Sequence, residues 1–278
     1  MRRLSCLVFS LALFGLLQAP VFGQAKKEKP KDPPKKVEIP RPSFKHLDGQ
    51  NLVFVVDGVG GSMMTSEHLR EVNDERQLGL RIQNVPWCRQ NAIFQDLVDH
   101  EAQINAAAKL ACSVEAIHKD APKARIFLLG HSAGTRVVLV AAEMAPAKSI
   151  ERIFVLHAAV SSTYDLTGAL KSTRLGIDNF WSSEDGILDA MVQHKGTADG
   201  QKGPAAGRAG FQLVSTDKKD VEAYRNVRQI RWTEEFCGNG GHYAWALRHN
   251  MKKALVPMFF TAPCNPPILI DKKMPKAK

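Results

Sequence analysis

The sequence predicts an α/β domain built on a mostly parallel, doubly wound sheet. Three observations carry that expectation. From Leu52 onward, strand-like apolar runs alternate with helix-like runs, the pattern of a sheet covered on both faces. One apolar run, Ile126 to Leu129, ends in Gly130-His131-Ser132-Ala133-Gly134, and a helix-forming run follows at once. The chain has 278 residues, 44% of them hydrophobic, which suffices for one domain with a substantial core.

In order along the chain, Leu52 to Val56 reads as a first buried strand leading into Asp57-Gly58-Val59-Gly60-Gly61-Ser62, and Leu78 to Val85 as a second. A long helix is expected from about Asn91 to His118, with Phe94, Leu97, Ile104, Ala107, Ala108 and Ala111 near helical spacing. The Ile126 strand and the helix after Ser132 come next, then strands at Ile153 to Leu156 and Leu175 to Trp181. Gly186 to His194 reads as a helix and Val227 to Trp232 as the last strand. A final helix starts near Tyr243 and runs through Leu247 toward Leu255. No internal repeat is visible.

The ends of the chain differ in kind from its middle. Arg2 and Arg3 precede an apolar stretch from Leu4 to Leu17, and small residues follow around Val21-Phe22-Gly23. That is the layout of a signal peptide over residues 1–23, cleaved near residue 23, in a bacterial style of export. The apolar stretch is about fourteen residues, short of the ~20 that span a bilayer. Residues 24–45 are rich in Lys and Pro and read as an extended linker, with the folded domain at 46–270 and a basic tail at 271–278.

The net charge of +10 divides along the same lines. The signal carries +2, the linker +5 and the tail +3, leaving residues 46–270 with 24 basic and 24 acidic side chains. A nucleic-acid-binding domain would carry its positive charge on the folded surface, so nucleic acid is excluded as a partner. The basic ends suit at most weak contact with an anionic envelope or membrane surface. Cys88, Cys112, Cys237 and Cys264 follow the signal. They form no C-x-x-C pair and no His/Cys cluster with zinc spacing, so no metal and no cofactor is expected. Two outcomes stay open for them: a disulfide, with Cys237–Cys264 the favoured pair, or buried free thiols.

A G-x-S-x-G sequence recurs by chance in Gly/Ser turns, but here a strand precedes it and a helix follows. That setting is the signature of the nucleophile elbow of the α/β-hydrolases, and the chain resembles this superfamily of serine esterases and lipases over nearly all of residues 50 to 260. The elbow and the Gly-rich loop after the Leu52 strand carry the resemblance. It implies a sheet of the α/β-hydrolase type and a triad running Ser, acid, His along the chain, with Ser132 as nucleophile.

A serine hydroxyl needs an imidazole to take its proton near neutral pH. Of the histidines well beyond the elbow, His249 sits inside the final helix and His194 closes a helix that should follow the acid. His242, in a Gly-rich loop between the last strand and the last helix, lies where the family places the base. For the acid, Asp185 follows the next-to-last strand, with Glu184 and Asp165 as rivals that could equally be turn or capping residues. The resemblance puts the oxyanion donors at the backbone N–H groups of Ala133 and Val59, with Gly60 as the alternative to Val59. The family often has His-Gly where this chain has Asp57-Gly58, and a carboxylate there is unfavourable unless it points away or is fully hydrogen-bonded.

The interval His157 to Arg174 has room for one short helix and no real cap. Residues 195–211 lack the apolar periodicity of a lipase lid. A minimal or absent cap implies an open, cutinase-like site for small-molecule or polymer-borne esters. The expected activity is an exported serine hydrolase cleaving carboxylic esters through an acyl-enzyme. An acyltransferase with the same triad and a non-catalytic hydrolase-fold binding or scaffold protein are the alternatives. An enzyme requires the Ser132 oxygen within about 3 to 3.5 Å of a His242 nitrogen; a scaffold does not.

Overall fold

The computed structural model describes residues 43–88, 93–215 and 217–261. The expected signal, residues 24–42 of the linker, the basic tail and Cys264 lie outside them.

Six strands form: β1 (Asn51–Val56), β2 (Leu80–Asn84), β3 (Arg125–His131), β4 (Arg152–Leu156), β5 (Ile177–Trp181) and β6 (Val227–Arg231), of which β1, β3 and β4 are runs rich in Val, Ile, Leu and Phe. They pair in parallel throughout, in the order β2-β1-β3-β4-β5-β6. This is a doubly wound α/β sheet of the expected type. Alternate strand residues feed two cores. Ile126, Leu128, Ile153 and Val155 meet Leu110 and Val114 of α3 (His100–Asp120) and Val137 and Val138 of α4 (Gly134–Met144). On the other face Val53, Val55, Phe127, Leu129 and Phe154 meet Leu69 of α1 (Met64–Arg76) and the C-terminal Trp245, Met251, Leu255 and Phe259. With both faces covered, the central strands are continuous apolar runs, as parallel sheets require.

Several helices differ from the expectation. The sequence reading has no helix between the first two strands, yet α1 fills that interval. Its residues are mostly polar, and only Thr65, Ser66, Leu69 and Val72 are buried, a stripe too thin to register as a period. The single helix expected over 91–118 is two. α2 (Ile93–Val98) stops before Asp99, whose side chain accepts the Ala102 N–H at 3.0 Å and starts α3. Past β4, α5 (Thr167–Ser172) is the one short helix expected, and α6 (Gly186–Lys195) follows β5. The four-residue α7 (Ala206–Ala209) and the polar α8 (Lys218–Tyr224) lie outside the expectation. The last helical run begins at α9 (Arg248–Asn250), passes through a π-helical turn at Met251–Leu255 and ends in α10 (Val256–Phe260).

The stretch over 195–211 is no loose insertion. Its main chain is zipped to the segment after β4: Ala198 N–H donates to Ala159 O at 2.9 Å, Ala206 N–H to Val160 O at 2.8 Å and Gly207 N–H to Ala158 O at 2.8 Å, while Ser162 N–H returns a bond to Pro204 O at 2.9 Å. Among the described cysteines Cys88, Cys112 and Cys237 are free thiols. Cys112 and Cys237 are exposed, so the expectation of buried thiols does not hold for them.

An ion-pair cluster ties three strands together. Asp178 of β5 is buried, receives a two-pronged bond from Arg228 of β6 (2.5 and 2.6 Å) and lies 3.3 Å from Arg152 of β4, itself buried. Removing the carboxylate strands an interior guanidinium. Asp178→Ala should therefore lose about 3–5 kcal/mol of stability in urea unfolding; a loss under 1 kcal/mol would show that water reaches Arg152.

Candidate active site

The strand–helix turn after β3 is made possible by a close crossing. A Cβ on Gly134 would stand 2.2 Å from Val56 O, and one on Gly130 2.7 Å from Thr135 Cα, so both positions exclude any side chain. Between them Ser132 holds φ at 54°, a left-handed value that costs a non-glycine residue of the order of 1–2 kcal/mol. Its backbone is fixed on both sides: Ser132 N–H donates to Leu156 O at 3.0 Å, and Ser132 O accepts from Ala159 N–H at 3.1 Å.

His242 arrives from the loop between β6 and the C-terminal helices. Gly240, at φ 73°, lets that loop lie against the turn after β5, since a Cβ there would fall 2.7 Å from Trp232 and 2.8 Å from Ser182 Oγ. From beneath, the buried Asn250 side chain accepts Cys237 N–H and donates to Cys237 O and Ala244 O, all within 2.9 Å. The result brings Ser132, Asp185 and His242 together. Ser132 Oγ is 2.9 Å from His242 Nε2, and His242 Nδ1 is 2.7 Å from Asp185 Oδ2. Because a carboxylate only accepts, Nδ1 carries the ring proton and Nε2 is left to accept from the serine. A chain of this kind can move a proton from hydroxyl to imidazole and hold the resulting charge.

Asp185 also begins α6, its Oδ1 accepting Leu188 N–H at 2.9 Å. Burial alone would raise its pKa, but the bonds from His157 and His242 win and hold it well below the usual carboxylate range. The rivals stand elsewhere. Glu184 takes a bond from Ser183 Oγ, and Asp165 accepts Thr167 N–H at the start of α5. His194 stacks edge-on against Phe94, and His249 is an exposed residue of α9.

Asp57 does not face the serine as an open charge. Its Oδ1 accepts Thr65 N–H at 2.9 Å, and its Oδ2 accepts Ser66 N–H at 3.3 Å and Asn84 Nδ2–H at 3.0 Å, so it caps the unforeseen α1 from across the loop. Burial pushes its pKa up, opposed by the bonds from Ser66 and Thr65. The Gly-rich loop turns past Ser132, where a Cβ on Gly58 would sit 3.1 Å from Ser132 Cβ. Gly60 N–H donates to Asp96 Oδ2 at 2.9 Å and Gly61 N–H to Cys88 Sγ at 3.1 Å. Among the described residues no acceptor takes the N–H of Val59 or of Ala133.

Two histidines that the sequence reading left aside complete the cluster. His131 Nε2–H donates to His242 O at 3.0 Å, and burial, then the His242 and His157 rings, push its pKa down to about 3. His157, buried just past β4, donates Nδ1–H to the same Asp185 Oδ2 at 2.8 Å. His157, Asp185 and His242 offer three ligand atoms within 4.8 Å of one another. Both ring nitrogens, however, point at one carboxylate oxygen at hydrogen-bond distance, the geometry of shared proton donation and not of ligands around an ion. Two cavities of about 580 and 860 Å³ open beside α6 and beside Trp232; neither is lined by Ser132 or His242, so the chemistry and not the volume locates the site.

No family model and no curated protein matches the chain. Among solved structures it is similar to the ydeN gene product from B. subtilis, at 13% identity and a TM-score of 0.46, over 76% of this chain and 99% of that one. It is similar to the catalytic core domain of acetyl xylan esterase from Trichoderma reesei at 12% identity and a TM-score of 0.44, over 77% and 98%. A cutinase-like protein from Cryptococcus sp. is similar at 11% identity and a TM-score of 0.39, over 77% and 93%.

The depressed His131 ring makes stability depend on pH. Below pH 6.5 the unfolded chain protonates this ring and the folded chain does not. Its contribution is therefore complete above about 6.5 and is lost as pH falls toward 3, at up to about 1.4 kcal/mol per pH unit. Urea unfolding at pH 7, 6, 5 and 4 should give a shallower decline for His131→Gln than for the native chain. Equal slopes would show that the ring is protonated within the fold.

Proposed function

We propose that this protein is an exported serine hydrolase that cleaves carboxylic esters through an acyl-enzyme. The observation that carries the reading is the unbroken run from Ser132 Oγ through His242 to Asp185, at 2.9 and 2.7 Å, on a serine held at φ 54°. In that reading Ser132 Oγ attacks the ester carbonyl while His242 Nε2 takes its proton. Asp185 keeps the ring in the Nδ1–H form and steadies the imidazolium. The carbonyl oxygen, now negative, accepts from the N–H groups of Ala133 and Val59, each such donor being worth about 10²–10³ in rate. His242 then returns the proton to the departing alcohol, and water repeats the sequence on the acyl-enzyme.

The substrate class follows from what surrounds the serine. The interval after β4 holds only the six-residue α5, and apolar Ile93, Phe94, Ile187 and Tyr243 are exposed on the segments that flank the site. Ile93 abuts the Gly60 loop, Ile187 opens α6 next to Asp185, and Tyr243 follows His242. An open apolar rim, with no lid among the described residues, suits small or polymer-borne esters with short acyl groups. Export rests on Arg2, Arg3 and the apolar run Leu4 to Leu17.

Hydrolysis of p-nitrophenyl esters from acetate to laurate tests the reading. Turnover should be greatest on the short chains, and Ser132→Ala should reduce it by about 10³-fold or more. A variant as active as the native chain would remove Ser132 from the chemistry, and a maximum at laurate would refute the open site.

A further inference from the structure

The Asp185 carboxylate serves two imidazoles, and the proposed mechanism uses only one. We infer that His157 is a positioning residue, which locks the Asp185 carboxylate onto His242 and draws off part of its negative charge. The inference rests on the reading of Ser132, His242 and Asp185 given above.

The geometry supports it from several sides. His157 Nδ1 and His242 Nδ1 lie 2.8 and 2.7 Å from the same Oδ2, while Oδ1 is held by Leu188 N–H. Three donors on one carboxylate leave it no other rotamer. The far nitrogen of His157 faces Trp245 N–H at 3.4 Å, which keeps the ring proton on Nδ1. Residue 157 also has φ 49°, a conformation glycine would adopt freely, and its main chain is pinned by a bond from His157 N–H to Phe180 O at 2.9 Å. A bulky side chain kept at a strained position, fully enclosed, indicates that the ring is needed there.

The titratable and charged groups around it are few. His131 faces it from β3, with ring centroids 6.2 Å apart, and His242 from the loop after β6, at 5.6 Å. Asp185 faces it from the turn before α6. From α7, Arg208 turns to Ser183 O and to Asp189. Burial depresses the His157 pKa in spite of Asp185, so the ring donates as a neutral group. A neutral donor on a carboxylate weakens that carboxylate's hold on an imidazolium.

Three substitutions separate this from simple packing. Asn at 157 keeps an N–H donor where Nδ1 stands and tolerates positive φ; Gly relieves the backbone but removes the donor; Leu fills the space without one. His157→Gly and His157→Leu should lower kcat about 10-fold or more with KM within about twofold. His157→Asn should restore most of that kcat. Ring NMR provides a readout that needs no turnover. The native protein should show low-field Nδ1–H signals from His157 and from His242, and the His242 signal should shift or broaden in the Gly and Leu variants. A native His157 protonated at Nε2 instead, or a His242 Nδ1–H signal identical in every folded variant, would overturn the inference. Absence of any ester turnover with these NMR signals intact would instead count against the hydrolase reading alone.

Discussion

The crossing of α4 over the end of β1 is the constraint from which the rest of the molecule takes its positions. With the Gly134 backbone pressed against Val56 O, the chain leaving β3 has room only for a turn that drives Ser132 into the left-handed region. That turn lifts the hydroxyl above the sheet, leaves Ala133 N–H at the helix entrance and brings the serine so near Gly58 that a Cβ there would stand 3.1 Å from Ser132 Cβ. Everything else at the site is assembled on strand ends to the same side, which parallel strands supply automatically because all their carboxyl ends point one way.

Around this rigid turn the protein places charge with economy. Asp57 and Asp185 are both enclosed carboxyls at the carboxyl ends of strands, yet burial prevails at one and hydrogen bonds at the other. Asp57 is met by two backbone amides and an amide side chain, and it serves as a structural cap. Asp185 is met by two imidazoles on one oxygen and by the Leu188 N–H on the other. The environment, not the residue type, separates their roles.

The parts of the site that were legible in the sequence are those fixed by short-range sterics. Gly130-His-Ser-Ala-Gly134 announces a crowded strand–helix turn whatever the partners are, and the apolar runs of β1, β3 and β4 need no neighbour to be recognised. His242 and Asp185 could be named from their order along the chain. What escaped depends on contacts between distant segments. α1 carries so few buried apolar residues that its stability comes from Asp57, which the sequence offers only as an odd aspartate in a glycine loop. The break at Asp99 is a capping event inside an otherwise continuous helical period. His157 gave one faint signal, a polar residue at the end of an apolar strand, and its partner is 28 positions away.

The segment joined to residues 158–162 by main-chain bonds has a bearing on how such a surface could change over time. Amide-to-carbonyl links are indifferent to side-chain identity, apart from Gly207, whose Cβ would strike His157, and Gly196, Gly200, Gly203 and Gly210, whose positive φ favours glycine. Gln201 and Lys202 are exposed on this shelf and make no demand on the core. Its outline is therefore inherited with the fold, while its exposed side chains are free to drift without re-solving the folding problem.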